Sequence, residues 1–139
     1  AFYMLENWKE IYNNAEGLGK ANNSIGGFTF QFSDGWWKLG QTHNLDIHDK
    51  GASWANEGYK LDFEEGENNM NEEWFGICAK SPNSELGYKL HPRAAYYALK
   101  QAHQFNPFQK GNTKKSLEKH FSEIKIDDAL QLSKEKKHE

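Results

Sequence analysis

Asp34, Trp36 and Trp37 stand almost side by side, directly behind the alternating residues Phe28, Phe30 and Phe32. A carboxylate can accept a hydrogen bond from a sugar hydroxyl, and an aromatic ring can lie against the apolar face of a sugar ring. The same residues admit a plainer reading. Aspartate before Gly35 is a common turn former, and aromatic rings fill cores. Adjacent residues on an extended or turning backbone point different ways, so only one of Trp36 and Trp37 can serve as a stacking platform. Phe30 and Phe32 share one face of a strand, and either could floor a pocket.

Two other constellations could carry chemistry. His43, Asp46, His48 and Asp49 place two imidazoles and two carboxylates within one short stretch. Such donors can bind a divalent ion, but the spacing matches no familiar metal motif and polar loops are usually solvated. We assign no metal and no cofactor. Glu72 and Glu73 precede Trp74. Glycoside hydrolysis uses paired carboxylates about 5 to 10 Å apart across the scissile bond, and neighbouring glutamates on one loop point apart. Cys78 lies in an apolar stretch and reads as a buried, inert thiol. Nothing resembles a Ser-His-Asp arrangement or a phosphate-cradling glycine loop.

The elements that must position these groups follow from the pattern. Met4, Trp8, Ile11, Tyr12 and Ala15 recur at helical spacing, with Glu6, Lys9, Glu10 and Asn13 on the other face. This predicts a helix over 4–15, stopped at Gly17 or Gly19. After a polar linker over 20–24, the period-two phenylalanines predict a strand over 25–33, entered through Gly26-Gly27. From Asp34 to about Leu90 the text is irregular and reads as an elaborated loop pinned by its aromatics. Pro92 suits a first helical position, and a helix over 93–104 should stop before Asn106-Pro107. In the charged segment 109–139, Leu117, Phe121 and Ile124 mark a helix. A further helix begins near Asp127 as N-cap, and residues 134–139 should fray. Helix, polar loop and strand in succession imply an α/β class.

Composition narrows the function classes. The chain has 139 residues and a net charge of −3, so no polyanion-binding surface is indicated and nucleic acid is not an expected partner. No apolar run is long enough to span a bilayer. Hydrophobic residues make up only 37% while aromatics reach 14%, and the mean hydropathy is −0.96. That balance suits a chain that binds something flat and partly apolar. One cysteine excludes an internal disulfide. The opening Ala1-Phe2-Tyr3-Met4-Leu5, already apolar-patterned, reads as a piece of a longer protein.

The helix with Trp8, the polar loop and the strand Gly26-Gly27-Phe28-Thr29-Phe30-Gln31-Phe32-Ser33-Asp34 together resemble the end of the catalytic barrel in glycoside hydrolase family 2, the β-galactosidase and β-glucuronidase type. The segments Asn71-Glu72-Glu73-Trp74-Phe75-Gly76-Ile77 and His91-Pro92-Arg93-Ala94-Ala95-Tyr96-Tyr97-Ala98-Leu99 look like the closing portion of such barrels. The resemblance implies the last helix–strand–loop–helix portion of a (β/α)8 barrel over 1–108, incomplete on its own, with a helical extension over 109–139. It implies a carbohydrate substrate, with Phe30, Asp34, Trp36 and Trp37 as pocket residues. Phe30 stands where the family prefers Trp. The family's two catalytic glutamates would precede Ala1, so the chain holds no catalytic pair and needs the remainder of the barrel as partner. Secretion or a periplasmic location follows family habit. A non-catalytic carbohydrate-binding or assembly module stays open beside this reading, as does an unrelated α/β domain whose aromatics are core.

Overall fold

A computed structural model describes residues 1–34, 75–81 and 89–135. Trp36, Trp37, the loop with His43, Asp46, His48 and Asp49, and the pair Glu72-Glu73 lie outside the described residues. Two compact units are present: a helical unit of Ala1–Thr29 with Pro92–Glu139, and a strand unit of Phe30–His91.

The helical unit contains α1 (Phe2–Asn13), α2 (Ala94–Ala102), α3 (Lys114–Glu123) and α4 (Ile126–Glu135). Helix α2 packs on α1 and α4, and α3 packs on α1. Leu5, Tyr12 and Ala15 from the first segment meet Ala98 and Ala102, Leu117 and Phe121, and Ala129 in one core. Burying each large apolar side chain contributes about 1.5–3 kcal/mol. The 109–139 segment therefore supplies core residues to the same cluster as α1 and α2.

The helix boundaries differ from those expected, for local reasons. Helix α1 ends at Asn13, before either glycine, and the Asn14 N–H bonds back to the Glu10 carbonyl at 3.2 Å. Beyond it the linker folds back: Ala21 N donates to Asn14 Oδ1 at 3.2 Å and Ser24 N to the Asn14 carbonyl at 3.0 Å. Asn13 was expected on the solvent face but is buried, and its Oδ1 finds no hydrogen-bond partner among the described residues. Pro92 is not the first residue of α2. It ends a strand, where a missing N–H is tolerated, and Arg93 is the N-cap. Helix α2 stops at Ala102 because Gln104 N and Phe105 N turn back to the Gln101 and Ala102 carbonyls, tightening the last turn and sending Phe105 into the core.

Thr113 starts α3 through a reciprocal cap. Its hydroxyl accepts from Ser116 N at 3.2 Å, and Ser116 Oγ accepts from Thr113 N at 2.8 Å. Asp127 was expected to cap α4 but lies inside its first turn with Asp128. There the carboxylates face the positive end of the helix dipole.

In the strand unit, β1 (Cys78–Lys80) pairs with β2 (Leu90–Pro92). The expected strand over 25–33 forms no continuous ladder. Ser33 makes an isolated parallel bridge to Cys78, and within the helical unit Ser24 makes one to Ala15. No helix among the described residues is long and apolar enough to cross a membrane.

Candidate functional site

The Phe-rich segment enters the strand unit at Phe30, and the Phe30–Gln31 peptide bond is cis. From there its backbone is tied to residues 76–78. Ile77 N donates to the Gln31 carbonyl at 2.9 Å, Cys78 N to the Phe32 carbonyl at 2.9 Å, and Asp34 N to the Cys78 carbonyl at 3.1 Å. Phe30 remains 59% exposed.

Asp34 is fully buried, and its Oδ1 accepts a hydrogen bond from Gly76 N at 3.1 Å. The carboxylate thus holds the backbone 42 residues further along the chain. Gly76 explains how the two segments come so close. A Cβ there would meet the Cys78 carbonyl oxygen at 2.6 Å and collide with the backbone of Ser33 and Asp34. Glycine is the residue that admits this approach. Cys78, beside it, is buried as expected.

Asp34 is the one carboxylate among the described residues of the strand unit. These residues place the ring of Phe30, 59% exposed, on a backbone segment fixed through Asp34 and Gly76. Among the described residues no cluster of His, Cys, Asp and Glu could hold a metal ion.

Sequence reasoning passed over three features. Ser81 Oγ and His91 Nε2 lie 3.1 Å apart, and Ser81 N donates to the Lys89 carbonyl at 2.8 Å. Ser81 is buried, so the pair ties the end of β1 to β2. In the helical unit, Tyr12 Oη and His103 Nδ1 are 2.8 Å apart, and the His103 ring meets Trp8 edge-on at 4.5 Å. Burial holds the His103 imidazole below its ordinary value and pushes the Tyr12 phenol up. Trp8 Nε1 donates to Thr29 Oγ1 at 3.0 Å. The residues joined here are far apart in the chain, and periodicity alone carries no such signal.

No protein-family model, curated protein or solved structure matches the chain.

Proposed function

We propose that this chain is the C-terminal portion of a glycoside hydrolase barrel and contributes one wall of its sugar pocket. The observation that carries the reading is the aromatic segment itself. It has the glycine-led pattern of a final barrel strand, yet Ile25 and Phe28 are 92% and 104% exposed. Apolar side chains of that size in water are what a barrel strand would show without its neighbouring strands. In this reading Phe30 lies beneath the sugar and one of Trp36 and Trp37 stacks on it. Asp34 positions the strand end through Gly76, a supporting part rather than direct sugar contact. The reacting carboxylates come from strands preceding Ala1 and perform retaining hydrolysis of oligo- or polysaccharides. Secretion or a periplasmic location belongs to the same proposal.

The test is made on the parent open reading frame. Expressed with its upstream sequence, the protein should hydrolyse aryl glycosides, and the chain from Ala1 alone should not. Phe30→Ala in the longer protein should lower kcat/KM roughly tenfold, a loss of about 1.4 kcal/mol of transition-state stabilisation. A parent without two strand-terminal glutamates, or one inert towards every glycoside tried, sinks the hydrolase reading. Sugar-dependent Trp fluorescence without hydrolysis would favour the binding module instead.

A further inference from the structure

The helical unit carries a groove of about 520 Å³ between α2 and α4 that the proposed pocket does not use. Its long wall is a stripe on α2. Tyr96 and Tyr97 lead to Lys100 and Gln101 one turn on, and then to Gln104 just past the helix end. Residues three and four apart share a helix face, so these side chains line one strip. Leu132 of α4 stands on the far side. The two tyrosine rings are perpendicular, with centroids 5.3 Å apart. The wall is held in place by α3, where His120 Nε2 lies 2.9 Å from the Gln101 carbonyl.

The lining chemistry is specific. Among the described residues it combines two phenol rings, two carboxamides and one ammonium group, with no carboxylate. A tyrosine face accepts the C–H face of a pyranose, and each carboxamide can both donate to and accept from ring hydroxyls. Lys100, the one charged group among the described lining residues, favours a negative substituent. The volume lies within the range of small-ligand sites and would take one or two sugar units. A polyanion such as nucleic acid would call for several cations.

We propose that the α2–α4 groove binds a saccharide unit bearing a carboxylate. This site is separate from the proposed pocket wall, and neither reading depends on the other.

The experiment is a ¹H–¹⁵N NMR titration of the full chain with three probes: methyl galacturonide, methyl galactoside and sodium acetate. The uronide should shift the Lys100, Gln101 and Gln104 resonances saturably, with the neutral galactoside weaker by roughly fivefold to tenfold. Lys100→Gln should abolish that preference while leaving weak binding of both sugars. Gln104→Ala should weaken both. Both substituted positions are exposed, so each variant should keep the parent's thermal midpoint. Absence of saturable shifts, or shifts that acetate reproduces in full, overturns the proposal. So does finding the groove filled by a second copy, seen as concentration-dependent shifts without ligand.

Discussion

Leu117 in the helical unit and Asp34 in the strand unit are both fully shielded from water, for opposite reasons. Leu117 sits among Tyr12, Phe121 and Ala102 in a core of apolar side chains from all four helices. Its burial is favourable by itself. Asp34 carries a carboxylate, which is costly to remove from water unless it is hydrogen-bonded. It is tolerated because Gly76 N points at it and the surrounding backbone is already tied to residues 76–78. The helical unit therefore rests on area and volume. The described part of the strand unit rests on a few directional bonds around one glycine. The first kind of structure degrades gradually as side chains shrink, and the second fails when one backbone approach is blocked.

Gly76→Val gives the sharpest break between the two. Its side chain would overlap the Ser33–Asp34 backbone, which cannot give way without releasing the Gln31–Ile77 and Phe32–Cys78 bonds. The expected cost is about 1–3 kcal/mol, at the upper end because the clash is with backbone. Amide exchange should show protection lost at Ile77 and Cys78 and kept in α1–α4. Uniform loss in both units would mean that they do not differ in the way described.

Leu117→Ala tests the other side. Removing a fully buried leucine should cost about 2–5 kcal/mol, read from urea unfolding followed by helical circular dichroism. Protection at Cys78 should survive it. A cost under about 1 kcal/mol would show that the core can collapse around the gap.

A smaller effect is expected at Thr113. Replacement by Ala removes the hydroxyl that accepts from Ser116 N and should cost about 1 kcal/mol. Thr113→Asn should restore most of it, since asparagine caps as well.

The smallest effect is a pH dependence. Burial holds the folded pKa of His103 below its ordinary value of 6.5. Above that value both states are neutral and nothing is lost. As pH falls below it, the unfolded chain takes up the proton first, so stability declines until the pH passes the folded value. His103 is partly exposed, which keeps the effect small. The thermal midpoint of the helical unit should drop modestly on acidification from pH 7 to pH 5, and less so in His103→Gln. An identical profile in the variant would place the titration elsewhere.

The helices were legible because periodicity is a local property. Trp8, Ile11 and Tyr12 announce one face of α1, and Leu117 and Phe121 one face of α3, whatever they pack against. The ends were less legible. The α1 stop was expected at a glycine, and Asn14 takes that place through a backbone bond; Pro92 was taken by a strand instead of a helix. The Thr113–Ser116 cap was present as a local pattern and was overlooked, because serine stands where glutamate or glutamine is the usual signal. Of the candidate site, Phe30 and Asp34 were singled out by type and spacing, and Gly76 was not. A glycine in a strand-like stretch says that something approaches closely without saying what.

The sequence by itself determined which segments are helical, most of the inward face of α1 and α3, and that an aromatic stripe ends in an aspartate. Those properties depend on neighbours within a turn of helix or two residues of strand. Only the tertiary structure decided that Asp34 accepts from Gly76 N, that Asn13 is buried, and that Tyr96, Tyr97 and Lys100 face Leu132 across a groove. Each joins positions far apart along the chain. Such pairings are selected by the free energy of packing the whole chain, and no local window of residues contains it.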